Sequence, residues 1–166
     1  MKIKDVGEFE LINLLNNIVV NNRRLNPKNH PDDIHLLVDT GDDAAAWKIG
    51  CITHLYSTDT LVEDVHFKLK TISWHDLGYK ALAVNMSDIA AMGGRPLHAF
   101  VTLGLPTDTE VSNVVQLYEG MLRLANHHNV PIIGGDVVGS TKVFITLGLT
   151  GTCDYSPMLR STAQIG

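Results

Sequence analysis

At 166 residues the chain has room for one domain with a substantial core, and no second domain of ordinary size fits beside it. Hydrophobic residues make up 45% and charged residues 19%, which excludes disorder as the default state. A net charge of −5, with the basic residues dispersed, excludes the electrostatic footprint of a nucleic-acid binder, so an anionic ligand needs a metal ion or backbone N–H groups to receive it. Cys51 and Cys153 form neither a CxxC pair nor a disulfide framework, the start Met1-Lys2-Ile3-Lys4-Asp5 has no signal-peptide core, and no apolar run is long enough to span a bilayer. The expected setting is the reducing cytoplasm, away from membranes.

Leu11, Leu14, Leu15 and Ile18 recur at helical spacing, which predicts a packing helix from Gly7 to about Val20. Residues Asn21 to Asp33, with Asn26-Pro27 and His30-Pro31, predict a mobile surface loop. Leu36-Leu37-Val38 is a strand candidate, followed by the acidic turn Asp39-Thr40-Gly41-Asp42-Asp43 and then Ala44-Ala45-Ala46-Trp47. Ile52 to Ser57 predicts a strand that delivers Ser57-Thr58-Asp59-Thr60-Leu61-Val62-Glu63-Asp64-Val65-His66-Phe67 as a loop at its end, where ligand groups commonly sit.

Trp74 to Met92 predicts a helix that is apolar on nearly every side, ended by Gly93-Gly94-Arg95-Pro96. Leu77, Ala81, Val84 and Asp88 share a narrow face, so a carboxylate extends an apolar stripe and needs a partner. His98 to Leu105 predicts a strand, and Thr107-Asp108-Thr109-Glu110 matches a capping box opening a helix to about His127, lined by Val111, Val114, Val115, Tyr118, Met121, Leu122 and Ala125. Pro131-Ile132-Ile133 leads into Gly134-Gly135-Asp136, Val143 to Thr152 is a further strand, and Leu159 to Gly166 ends without a closing helix or strand. The order α, β, β, α, β, α, β, β predicts an α+β sheet flanked by helices.

The candidate chemistry is acidic. Asp42, Asp43, Asp59, Asp64, Asp88 and Asp136 come from separated places, and such a set repels itself unless a cation neutralises it. Mg²⁺ prefers oxygen donors and commonly bridges carboxylates to phosphates. The competing reading is a scatter of turn-forming and capping aspartates, which does not explain Asp88. Gly134-Gly135 could let backbone N–H groups approach a phosphate, in a run that is neither a P-loop nor a dinucleotide fingerprint. His66 contacts a substrate or serves the fold; Tyr118 belongs to a core or an interface. Adjacent His127 and His128 do not share a helical face, which argues against a zinc pair.

Taken together, Gly7-Glu8-Phe9, Gly41-Asp42-Asp43-Ala44-Ala45, the run from Ser57 to Phe67, the run from Tyr79 to Gly94 and Gly134-Gly135-Asp136 closely resemble the N-terminal half of thiamine-monophosphate kinases. These belong to the aminoimidazole ribonucleotide synthetase-like superfamily of ATP-using enzymes. The resemblance implies a mixed sheet flanked by helices, with two such sheets pairing into a barrel across a homodimer. It implies Asp43, Thr58, Asp59, Asp88 and Asp136 as Mg²⁺ ligands with Ser57 beside them, and His66 as a thiamine-phosphate contact. Tyr118, Gly135 and Arg160 correspond to ATP-contacting positions. The implied reaction makes thiamine diphosphate and ADP from ATP and thiamine monophosphate.

Two departures are visible. Gly134-Gly135-Asp136-Val137-Val138-Gly139-Ser140 differs from the commoner run with threonines and an arginine, and Asp39-Thr40-Gly41 replaces a more hydrophobic approach to the acidic pair. The family's second domain, which supplies further acidic ligands and acceptor contacts, is not in this sequence. The expectation over 1–166 is therefore a single ATP- and Mg²⁺-binding dimerisation domain, inactive or weakly active alone. The alternative is a non-catalytic dimerisation or nucleotide-sensing module.

Overall fold

The structure is a computed structural model that describes residues 3–25 and 34–164. The chain forms two units, 1–35 and 36–166. The first holds a short helix α1 (Ile3–Val6) and helix α2 (Glu8–Leu25), joined at Gly7, whose φ of +82° suits a residue without a side chain. Helix α2 runs past the predicted end at Val20 to Leu25, so the predicted loop starts as helix and its remainder, 26–33, lies outside the described residues. The packing role expected of its stripe is not seen: Leu14, Leu15 and Ile18 are all exposed.

Strand β1 (Ile34–Val38) spans the boundary at 35/36, and the second unit continues through β2 (Ala45–Ile49), β3 (Ile52–Val62), β4 (Arg95–Leu105), β5 (Ile132–Gly139) and β6 (Phe144–Cys153). They form a six-stranded sheet in the order β1-β2-β3-β6-β4-β5. The pairs β2–β3, β3–β6 and β6–β4 are antiparallel and β4–β5 is parallel, so the sheet is mixed, as expected. Strand β2, which was not predicted, turns into β3 through Gly50-Cys51, with Gly50 at φ +58° in the first turn position. Cys51 is exposed, Cys153 is buried, and both are free.

Helix α3 (Trp74–Ala91) lies on one face of the sheet and helix α4 (Val111–His128) packs against α3. Period-2 alternation puts Ile145, Leu147 and Leu149 of β6 and Ala99, Val101 and Leu103 of β4 towards the helices, where they meet Leu77, Ala81, Leu82 and Ile89. The two helices touch backbone to backbone: a Cβ on Gly78 would stand 1.8 Å from the Leu117 carbonyl oxygen, and one on Gly120 1.8 Å from that of His75. Glycine is required at both.

Ser73 caps α3 by accepting from the Asp76 N–H at 3.0 Å, and the helix stops at Met92 with Gly93 at φ +72°, as the Gly-Gly signal predicts. Pro96 lies beyond the stop, as expected, and falls inside β4, which starts three residues before the predicted His98. The predicted capping box does not form, because α4 starts later: Glu110 is itself the N-cap and makes no side-chain cap bond. Helix α4 carries two apolar faces. Leu117, Met121, Leu124 and Ala125 are buried, whereas Val111, Val115 and Leu122 of the predicted stripe are exposed. The segment after β6 closes in a 3-10 turn, Arg160–Thr162, and 165–166 lie outside the described residues. Among the described residues no helix is long and apolar enough to cross a membrane.

Candidate functional site

The segment from Ser57 to Val62 lies within β3 rather than in a loop after it. The prediction ended the strand too early because Ser57, Thr58 and Asp59 interrupt its apolar pattern. The structure gives the physical reason: Thr53, Leu55, Ser57, Asp59 and Leu61 form one row facing the helices, with Ser57 and Asp59 continuing the row of core residues. Thr58 falls in the alternate row of the strand.

Strand β2 begins at Ala45, opposite Tyr56, so from Ser57 onward β3 keeps β6 on one side and loses its neighbour on the other. The acidic turn before β2 opens there. A cleft of about 430 Å³ results, lined among others by Asp42, Asp43, Ser57, Thr58, Asp59, Asp88 and Arg160. Ser57 Oγ donates to Asp88 Oδ2 at 2.7 Å, which supplies the partner that a carboxylate on the α3 stripe requires.

Burial pushes the Asp88 carboxyl up, and the neighbouring Asp59 and Asp43 add to the rise while Ser57 opposes it. A carboxyl whose folded pKa is raised contributes stability when protonated and loses it as pH climbs through that value. Asp88→Asn keeps an acceptor for Ser57 and removes the charge. It should therefore melt higher than the parent at pH 7 in the absence of divalent metal. The gain, held below ~1 kcal/mol by solvent screening, should vanish in acid where Asp88 is already neutral; thermal melts across pH check both.

Arg160 supplies the local countercharge. Its guanidinium pairs with the Asp43 carboxylate, and its backbone N–H donates to Asp42 at 3.3 Å. A cation already sits against carboxylates that repel one another, and every other donor in the cleft is a hard oxygen. That donor set fits Mg²⁺ in kind, although among the described residues no three acidic, histidine or cysteine side chains are gathered closely enough to hold an ion as they stand.

Sequence reasoning missed Asn85. It is 1% exposed, its Nδ2 donates to the Ala81 carbonyl oxygen at 3.2 Å, and its Oδ1 accepts the backbone N–H of Asp59 at 3.1 Å. The available signal was an amide on the same apolar helix as Asp88, three residues before it. Asn85→Ala leaves that N–H without its partner, and the expected cost is ~1–3 kcal/mol of stability, read as a lowered midpoint in urea titration.

The other predicted residues lie elsewhere. Tyr118, Gly135 and Asp136 line a second cleft of about 510 Å³ with Ile132, Ile133, Gly134 and Val137, and it shares no lining residue with the first. Strand β5 is three strands from β3, or ~14 Å at the usual spacing. Asp136 accepts from the Val137 N–H at 2.8 Å. Gly134-Gly135-Asp136 is strand, not a loop after one; a Cβ on Gly135 would stand 1.8 Å from the Val101 carbonyl oxygen, so pairing with β4 alone demands glycine there. His66 lines neither cleft and sits in the turn after β3.

Fold and site define a mixed-sheet domain whose carboxylates gather beside a strand that outruns its neighbour. The family described as AIR synthase related protein, N-terminal domain, matches residues 41–153, and the chain belongs to it. Within that family it is similar to the thiamine-monophosphate kinase of Bacillus subtilis (strain 168), at 45% identity over 76% of this chain and 40% of that protein. The structure of AaThiL complexed with AMPPCP and TMP superposes with a TM-score of 0.81 at 32% identity, covering 100% of this chain and 48% of the other. The thiamine monophosphate kinase of Aquifex aeolicus gives 0.74 at 31%, with the same coverage. The chain spans less than half the length of these relatives.

Proposed function

We propose that this chain carries the ATP- and Mg²⁺-binding part of a thiamine-monophosphate kinase, which transfers the γ-phosphoryl group of ATP to the phosphate of thiamine monophosphate. The observation that carries this reading is the convergence of Asp43, Ser57, Asp59 and Asp88 on one cleft in a chain 45% identical to such a kinase. AMPPCP and TMP, the ligands of the AaThiL structure, suit the donor site and the acceptor of this reaction.

In this mechanism an oxygen of the acceptor phosphate attacks the γ-phosphorus, and the bond from that phosphorus to the β-phosphate oxygen breaks to release ADP. The attacking oxygen is already ionised, so no strong general base is required, and the cleft has none to offer beyond its carboxylates. Asp43, Ser57, Thr58, Asp59 and Asp88 would hold Mg²⁺, which supplies neutralisation of the phosphate charge. Asp136, on the far strand, would hold a separate ion. Arg160 would exchange its pairing with Asp43 for a phosphate of the nucleotide, alongside Tyr118 and Gly135 as ATP contacts. His66 would meet the phosphate of thiamine monophosphate.

The sheet face opposite the helices exposes Tyr56 and Phe100 and suits pairing with a second copy into a barrel. The working unit would then be a cytoplasmic homodimer. Calorimetry with AMPPCP and Mg²⁺ tests the proposal: binding that needs the metal supports it, and no binding at millimolar nucleotide overturns it. A steady-state assay with thiamine monophosphate then separates catalysis from a nucleotide-sensing module, with weak turnover or none expected of this chain alone.

A further inference from the structure

The turn after β3 holds His66 in one chemical form. Asp64 adopts φ +64°, a left-handed conformation that aspartate tolerates better than most residues. The turn is closed by the Asp64 N–H donating to the Phe67 carbonyl oxygen and the His66 N–H donating to that of Val62, both at 2.8 Å. Lysines brace it from two elements. Lys142, just before β6, donates from Nζ to Asp64 Oδ2 at 2.9 Å, and Lys80 of α3 donates from Nζ to the His66 carbonyl oxygen at 2.8 Å. Phe67, at the end of the turn, is buried in the core.

The Val62 N–H donates to Nδ1 of the His66 ring at 3.0 Å. A neutral imidazole carries one N–H, so an Nδ1 that accepts leaves the proton on Nε2. The backbone N–H, the carbonyl oxygen and Nδ1 of His66 are all engaged, and Nε2–H remains for a ligand. Charge around the turn favours an anion. Lys142 holds the Asp64 carboxyl below its usual range, helped by Lys68 and Lys70, and the Glu63 carboxylate is occupied by the Val143 N–H at 3.1 Å.

We infer that Lys80 is a positioning residue for His66, and that with the Val62 N–H it presents the imidazole as a fixed Nε2–H donor to an anionic oxygen rather than as a general base. Identifying that oxygen with the phosphate of thiamine monophosphate rests on the function proposed above; the tautomer and the role of Lys80 do not.

Long-range proton–nitrogen NMR of imidazole-labelled chain tests this, with the His66 signals assigned by their loss in His66→Gln. The neutral ring should show the Nε2–H pattern alone; an Nδ1–H pattern or an even mixture overturns the inference. Lys80→Met should move the His66 signals towards a tautomer mixture and leave the other histidines in place, and Lys80→Arg should restore the parent pattern. Unchanged His66 signals in folded Lys80→Met remove Lys80 from the proposal. If that variant does not fold, Lys80→Arg decides: a parent pattern supports a required donor at this site, and a mixture defeats it. Addition of thiamine monophosphate or inorganic phosphate should shift Nε2, whereas thiamine should not. A shift with phosphate alone keeps the anion site and defeats the thiamine-phosphate reading; no shift with either anion defeats the donor role.

Discussion

Asp59→Asn and Asp88→Asn should each weaken Mg²⁺-dependent binding of AMPPCP by roughly 10- to 150-fold, the equivalent of losing ~1.5–3 kcal/mol of a charge-assisted contact. Asn85 holds the Asp59 backbone and Ser57 holds the Asp88 carboxylate, and both aspartates line the same cleft. Asparagine preserves shape and one acceptor oxygen but removes the charge that a divalent ion needs. Without Mg²⁺ the order should reverse: each variant should bind the nucleotide as well as the parent or slightly better, because one repulsion against the polyphosphate is gone. Calorimetry with and without the metal reads both arms. Parental affinity of both variants in Mg²⁺ would falsify the assignment of this cleft.

Gly78→Ala and Gly120→Ala should each lower the melting midpoint by ~6–12 °C, from ~3 kcal/mol of overpacking spread over a domain of this size. The sign is informative, since glycine to alanine inside an unencumbered helix gains up to ~1 kcal/mol. Here the added Cβ meets a carbonyl oxygen of the facing helix at both positions, and a backbone atom does not rotate aside. The helices must separate, and α3 is the helix that carries Asn85 and Asp88 to the site. A stable variant with unchanged melting would show that α3 and α4 do not meet as described. Loss of Mg²⁺-dependent AMPPCP binding is expected to accompany the destabilisation.

How far the site could be read without coordinates differs from residue to residue. Asp88 was legible because a carboxylate on an apolar stripe demands a partner, and the periodicity that reveals it is local to one helix. Ser57 as that partner was not, because it lies 31 residues away on a strand. Arg160 is further off still: its pairing with Asp43 spans 117 residues and depends on the chain returning past the start of β2 after β6 is complete. Strand β2 itself escaped notice because Ala45 and Ala46 carry little strand preference, and the pairing with Ile52 to Tyr56 overrides that. The stripe of α2 shows the opposite case, a clear period with no packing to match it in the described unit.

By itself the sequence determined the ingredients: an acidic oxygen-rich chemistry, α3 and α4 from their apolar periods, the stop at Gly93, and motifs in the order of a known family. Those features are set by neighbours along the chain. Only the tertiary structure decided which ingredients meet. Because β6 inserts between β3 and β4, and β5 lies beyond β4, Asp59 and Asp136 end on strands three apart although both belong to the predicted metal set. Because β2 starts one residue short of Ser57's partner position, an edge opens beside β3 and becomes the cleft. Strand order and register come from long-range pairing and burial, which no window of sequence contains.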